Sequence, residues 1–284
     1  MGRLRKKLGE SHPNTLDTMN NLANAYNNQG KYSDAEVLYK QILDNLKEVL
    51  GENHPGILSA MSNLASTYDR QGKYIDAEVL CKQCLDKQKV VLGENHPNTL
   101  GTMLILAGTY NSQGKHRDAE ALYKQCIDKM KEVLGETHSD TLSAMNNLAV
   151  IYDRQGKYRD AEVLYKQCLD KMKAVVGENH PDIFVTMNNL ANNYFKQGRN
   201  SDAEVLYKQC LDKMKVVLGE NHHDTLRTMN NLALNFGYQG KNIDAHVLFK
   251  QCLDKMKVIL GESHPSTIAT MNDLALATSK IRLH

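Results

Sequence analysis

The sequence predicts an all-α solenoid, built from one kind of helix–turn–helix hairpin stacked on copies of itself. Three observations predict it. A Leu-Gly-Glu element (Val-Gly-Glu in one copy) recurs every 42 residues, its glycines being Gly9, Gly51, Gly93, Gly135, Gly177, Gly219 and Gly261. Within each interval the apolar residues recur at helical spacing. Two glycine-bearing breaks per interval then divide it into two helices. A fixed period of this size is one supersecondary unit repeated, each copy burying its apolar face only against its neighbours.

Taken in order, residues 1–8 align with the tail of a preceding second helix, so the array is expected to open mid-repeat. Six repeats follow at 9–50, 51–92, 93–134, 135–176, 177–218 and 219–260. In the second, Pro55 suits the first turn of helix A, where a missing N–H is harmless. Leu58, Met61, Leu64, Ala65 and Tyr68 then form one helical stripe. Gln71-Gly72-Lys73 ends helix A, with Gly72 free to take the left-handed conformation of a helix C-terminus.

Helix B starts near Tyr74 and stops at Gly93; Ala77, Leu80, Cys81, Cys84, Leu85, Gln88 and Val91/Leu92 mark its contact face. Gln88 is the polar member of that face, where other copies place Leu46, Met130, Met172, Met214 and Met256. Ala35, Ala77, Ala119, Ala161, Ala203 and Ala245 mark the closest crossing of B over A, with Ala23 and its equivalents opposite. A larger side chain there would overpack the crossing at a cost of about 1–3 kcal/mol. Glu36, Lys40 and Asp44, at i, i+4 and i+8, read as a solvated outer face. Residues 261–284 supply one more helix A, from Pro265 to about Ala277, as a half-repeat or capping helix before the pattern is left at SKIRLH.

Composition excludes several function classes. Lys+Arg 35 against Asp+Glu 33 gives a net charge of +2 with both signs interleaved, so no basic stripe for nucleic acid exists. No apolar run reaches the ~18 residues of a membrane span, and MGRLRKKLGE lacks the apolar region of a secretory signal. The expectation is a soluble cytoplasmic protein with neither nucleic-acid nor membrane partners.

Cys84, Cys126, Cys168, Cys210 and Cys252 occupy one register, filled by Ile42 in the first copy. That is a packing site for a small hydrophobe, and unoxidised buried thiols fit a reducing compartment. Cys81 stands where Tyr39, Tyr123, Tyr165, Tyr207 and Phe249 stand, so its C-x-x-C with Cys84 also reads as packing and not zinc or redox chemistry. His12, His54, His96, His138, His180, His222 and His264 arrive once per repeat at the start of helix A, without a second ligand at metal spacing. They are expected to cap or pack. No nucleophile elbow, phosphate loop or H-E-x-x-H occurs. A non-enzymatic chain without cofactor or metal is expected.

The spacing Leu22-Ala23-x-x-Tyr26 … Ala35-x-x-x-Tyr39 resembles the tetratricopeptide signature. The usual repeat has about 34 residues; here Leu43, Leu46, Val49 and Leu50 lengthen helix B. This long form, with LGENHPxT and NNLAxxYxxQGKYxDAExLYKQ, closely resembles the repeats of kinesin light chains and nephrocystin-3-like proteins. The resemblance implies a right-handed superhelix with helix A lining a concave groove, a protein or peptide ligand, and a role as cargo adaptor or partner of kinesin heavy chain. Those proteins carry a heptad coiled coil ahead of the repeats, and residues 1–284 contain none.

The resemblance also places the groove positions: two before Met19, one after it, and five, eight and nine after it. The column after the Met (Asn20, Ser62, Leu104, Asn146, Asn188 and Asn230) is expected to hold a peptide backbone, because an Asn amide offers both donors and an acceptor. The next column, with Asn63 and Asn231, is expected to support it. Specificity is then assigned to Asn24, Asn27, Asn28, Ser66, Asp69, Arg70, Asn111, Asp153, Arg154, Asn192, Lys196, Arg227 and Tyr238. Their mixed signs argue against a purely acidic or purely basic ligand. Leu104, Ile105 and Gly108 make an apolar spot in the third repeat.

Two alternatives stay open. The Asn columns can instead bond within the stack. The whole chain can be a structural or regulatory array (spacer, self-association surface or sensor), consensus-like or designed, with no dedicated ligand.

Overall fold

The computed structural model describes residues 12–51 and 54–282, and every regular element among them is an α-helix. The tail expected at residues 1–8 lies outside the described residues. Helices A are α1 (Pro13–Asn28), α3 (Pro55–Arg70), α5 (Pro97–Ser112), α7 (Ser139–Arg154), α9 (Pro181–Lys196), α11 (His223–Tyr238) and α13 (Pro265–Arg282). Helices B are α2 (Tyr32–Leu50), α4 (Tyr74–Val91), α6 (His116–Val133), α8 (Tyr158–Val176), α10 (Asn200–Val217) and α12 (Asn242–Ile259). The last helix continues past the expected end near Ala277. Thr278 bonds to the Leu274 carbonyl at 2.7 Å and lies 3.0 Å from His246 Nδ1, which ties the extra turn to α12.

The recurrent histidines cap helix A. In five copies the His is in extended conformation at the N-cap, and its Nδ1 accepts the N–H two residues on: Asn14, Gly56, Asn98, Asp182 and Asp224, at 3.1–3.3 Å. His138 and His264 accept from Asp140 and Ser266 in the same way. One orphan donor of each helix is thereby satisfied. At the other end, Gly72 turns with φ +78° and Lys73 N–H reaches back to the Tyr68 carbonyl at 2.9 Å. That geometry is open to Gly and strained for other residues.

The chain divides into two compact units, Met1–Ile151 and Tyr152–His284. Within each, helices pack on their neighbours in sequence. In the first unit α3 also touches α5; in the second α9 touches α11 and α11 touches α13. Among the described residues no two helices B touch comparably, so helices A form the more closely spaced layer. The alanine crossing is fully buried at Ala35, Ala77, Ala119, Ala161, Ala203 and Ala245.

All six cysteines are free and buried. Cys84, Cys126, Cys210 and Cys252 donate to the carbonyls of Leu58, Leu100, Phe184 and Leu226 on helix A at 3.2–3.5 Å. Burial pushes the Cys81, Cys126, Cys168 and Cys210 thiols up to about 12, which makes them packing groups and poor nucleophiles.

The outer face of helix B departs from the sequence expectation. Glu36 is only 14% exposed. It accepts from Lys40 on its own helix (2.6 Å), and from Lys73 (2.7 Å) and Gln71 (2.9 Å) in the turn of the next repeat. Lys40 and Lys73 also flank the Tyr68 ring, 5.8 and 5.3 Å from its centroid. Glu78, Glu162 and Glu204 build equivalent clamps onto Lys115, onto Gln197 and Arg199, and onto Gln239 and Lys241. The Gln-Gly-Lys turn thus has two functions, ending helix A and fastening it to the preceding repeat. Burial alone would raise the Glu36 carboxyl, but the bonds from Lys40, Lys73 and Gln71 outweigh it and hold it at about 2. The glutamate of Leu-Gly-Glu pairs at the surface with a lysine late in helix B, as in Lys129–Glu94 at 2.8 Å.

Candidate interaction face of the helix A layer

Each helix A buries its Met and Leu stripe and turns the opposite side outward. The column directly after the Met lies at the seam between consecutive helices A. In the first unit Asn20 accepts from Asn63 at 3.3 Å, and Ser62 Oγ lies 2.5 Å from Thr102 Oγ1. In the second, Asn188 accepts from Thr228 (3.3 Å) and Asn231 (3.2 Å), and Asn230 accepts from Thr270 (3.0 Å). Asn146 and Asn188 are 9% and 2% exposed. The acceptor side of these amides is therefore turned to the stack. The column sits where a threonine or asparagine of the following helix is within reach of its acceptor, so bonding within the stack occupies Oδ1.

Leu104 fits the same rule. The position that holds Thr102, Thr186, Thr228 and Thr270 in other copies is Ala144 in the repeat after it. No hydroxyl needs an acceptor there, and Leu104 and Ile105 are both half-buried.

The column five after the Met serves the core. Tyr39 donates to Asn24 at 2.6 Å, and Tyr207 donates to Asn192. Both tyrosines are buried, and their hydroxyls need an acceptor. Ser66 occupies this column opposite Cys81 and is half-buried. In the column eight after the Met, Asn27 donates to Thr67 at 2.9 Å. Asn111 is half-buried with its Oδ1 unpartnered. Asp153 is 7% exposed and accepts from Asn193 (2.6 Å) and Tyr165 (3.3 Å). Burial pushes its carboxyl up, and the bonds from Asn193 and Tyr165 and the charge of Lys196, 3.8 Å away, offset this only in part. Asp69 is raised by burial too, against the bonds from Thr109 and Ser112.

The two remaining columns face solvent. Nine after the Met stand Asn28, Arg70, Ser112, Arg154, Lys196, Tyr238 and Lys280, all exposed. Two before it stand Asp17, Ser143, Val185, Arg227 and Ala269, all exposed, with Ser59 and Gly101 half-buried. Arg227 is 3.0 Å from Asp224, one turn earlier on its helix. These columns differ from copy to copy, while the Met and Ala stacking positions of the same helices repeat unchanged.

Sequence reasoning placed the Asp17 and Tyr238 positions in the groove but did not single out Phe195, whose ring meets that of Tyr238 edge to face at 4.9 Å with Tyr238 73% exposed. The exposure of variable positions in the repeat was the available signal. Among the described residues no three His, Cys, Asp or Glu side chains converge as metal ligands, and no helix is long and apolar enough to cross a membrane.

A stack of helical hairpins with one layer presenting variable side chains is the architecture of a protein-interaction scaffold, a fold that is typically non-catalytic. The tetratricopeptide repeat family model matches residues 3–48, 16–86, 56–132, 102–174, 163–215 and 182–257. The chain belongs to the tetratricopeptide repeat family, and its repeats resemble those of kinesin light chains.

Among solved structures it resembles a kinesin light chain homologue with nearly identical repeats from Podosopora anserina, at 25% identity over 72% of this chain and 97% of that one, with a TM-score of 0.60. BtubC (BKLC) from P. vanneervenii shares 19% identity over 88% of this chain and 94% of its own, at 0.63. A Rap protein complexed with competence and sporulation factor shares 15% over 98% of this chain and 83% of its own, at 0.60. The latter two share the fold alone. No curated protein matches the chain.

Proposed function

We propose that the exposed helix-A columns bind an extended peptide or short linear motif of a partner protein, making the chain a non-enzymatic adaptor in the cytoplasm. A cargo-adaptor role of the kinesin light chain kind, with cargo or kinesin heavy chain as partner, follows the same reading. One observation carries it: the exposed helix-A columns two before and nine after the Met differ from copy to copy, while the Met and Ala stacking positions of the same helices repeat unchanged. The buried amides of the Met+1 column support the scaffold, and contact with ligand falls to Arg70 in the first unit and Arg154, Lys196 and Arg227 in the second.

The test is selection of a random peptide display library on the full chain. Enriched peptides should lose binding to Arg70→Ala or to the triple Arg154→Ala/Lys196→Ala/Arg227→Ala variant. Thermal unfolding should hardly move, because these side chains are exposed. An array that enriches no peptide, or whose peptides are indifferent to both variants, is a spacer and not an adaptor.

A further inference from the structure

The first unit contains a pocket bordered by two positions at which this copy carries smaller residues than most others. It lies between α1, α2 and α3, has a volume of about 510 Å³, and is lined by Leu16, Ile42, Leu46, Val49, Gly56 and Ala60 among others. That is within the range of about 300–1,000 Å³ typical of ligand sites. Its origin is two truncations on one helix. At the position of Gly56 the other copies carry Asn14, Asn98, Asp140, Asp182, Asp224 and Ser266; at that of Ala60 they carry Thr, except for Ala144. A Cβ on Gly56 would lie 3.1 Å from His54 Nδ1 and 3.6 Å from Leu46 Cδ1, so a side chain there crowds the cap and the pocket wall.

The walls are apolar: Leu16, Ile42, Leu46 and Ala60 are buried core residues whose surfaces border the cavity. Four polar side chains line it with them, of which Ser59 donates to the Pro55 carbonyl at 3.2 Å. Asp17 is exposed and makes no ion pair among the described residues. His54 is committed to its helix cap. Asn20 accepts from Asn63, but its Nδ2 has no acceptor, and Ala60 supplies no hydroxyl where Thr228 and Thr270 serve Asn188 and Asn230.

We infer that this pocket anchors one large apolar side chain (Leu, Ile, Met or Phe) of a bound peptide that carries a Lys or Arg beside it. The apolar group fills the cavity, the cation meets Asp17, and Asn20 donates to a peptide carbonyl next to the anchor. Hydrophobic burial supplies affinity here, and the unpaired carboxylate supplies the choice of neighbour. This inference rests on the peptide-binding reading of the helix-A layer and names the ligand class for its first unit.

The test uses peptides enriched from the random display library on the full chain, with affinity measured for each by fluorescence anisotropy. Two pocket-filling variants borrow residues that other copies tolerate at the same positions: Gly56→Asn, as in Asn98, and Ser59→Val, as in Val185. Both should fold and melt as the parent does. Enriched peptides should contain an apolar residue next to Lys or Arg, and each variant should weaken them by about tenfold or more, the share of affinity due to one buried large side chain. Asp17→Lys should shift the enriched neighbour from basic to acidic. If peptides are enriched but bind both filled variants undiminished, or show no apolar–basic pairing, the pocket assignment is overturned and the broader groove reading stands. If no peptide is enriched at all, both fall together.

Discussion

Gln88 is the position where the stack works against itself, and replacing it with Met should stabilise the protein. The side chain is completely buried, and neither its Nε2 nor its Oε1 has a partner. The equivalent residues Met130, Met172, Met214 and Met256 are buried to within 1–7% exposure. At three of these sites the following helix A contributes a hydroxyl to the sulfur: Thr186 to Met172 (3.7 Å), Thr228 to Met214 (3.4 Å) and Thr270 to Met256 (3.4 Å). The corresponding Thr102 meets Ser62 (2.5 Å) and the Asn98 carbonyl (3.0 Å) and makes no bond to Gln88. Leaving a buried amide unsatisfied costs about 1–3 kcal/mol. Gln and Met have similar volume, so Gln88→Met removes that cost without opening a cavity or overpacking. A gain of 1 kcal/mol raises the melting midpoint by roughly 2–4 °C in a chain of comparable size. Because stability in a repeat array is a sum of local terms, the sharper readout is slower native-state hydrogen exchange in α4 and α5. An unchanged or lower midpoint, with unchanged exchange, refutes the reasoning and means that the amide has partners in solution.

Two further predictions concern the seams. Glu78 is held at about 2, chiefly by bonds from Lys115 and Lys82 against the opposing effect of burial. A carboxylate lowered on folding contributes stability that is present above the ordinary carboxylate range and lost as pH falls toward 2. Urea midpoints titrated from pH 7 downward should therefore fall in acid, and fall less steeply for Glu78→Gln than for the parent; parallel curves would remove the clamp from the account. His180→Ala should cost about 0.5–2 kcal/mol as an N-cap loss, and His180→Asp should recover most of it, both read by denaturant unfolding. Equal losses for the two would show that the ring packs and does not cap.

The parts of the fold legible in the sequence are those set by local rules. The helix ends follow from Pro55, His54 and Gly72, because caps and left-handed turns depend on residues within one turn of chain. The alanine crossing and the thiol register were also readable, since each repeats six or five times against the same neighbour. The Glu36 clamp was not. Its partners Gln71 and Lys73 lie 35 and 37 residues away, and an i, i+4 pair on a helix surface looks the same whether it faces water or the next repeat. The Asn columns were open to two readings for a related reason. An asparagine that recurs in five of seven copies describes a surface used alike in those copies, but repetition alone does not distinguish a ligand ladder from a seam. Only the threonines 40 residues on, at Thr228 and Thr270, decide for the seam.

That distinction also separates the exceptions in the repeat from one another. Some deviations come in matched pairs. Tyr39 and Tyr207 face Asn24 and Asn192, whereas Cys81, lacking a hydroxyl, has Ser66 at that register, and Phe249 has Leu234. Leu104 precedes a helix with Ala144 in place of Thr. A matched deviation keeps the stack satisfied, so no ligand is needed to explain it, and the apolar spot of the third repeat belongs to this group. Other deviations are unmatched. Gly56 and Ala60 leave a cavity that no neighbour has grown to fill. Asn235, fully buried, keeps an unpartnered Nδ2 beside the position where Phe195 replaces the acceptor that Asp153 offers Asn193. An unmatched deviation costs stability in a fold whose other copies show the repair, and repair is one substitution away. Persistence of such a cost in an array this uniform is the physical reason to look for ligand contacts at the first pocket before looking at the repeated asparagines.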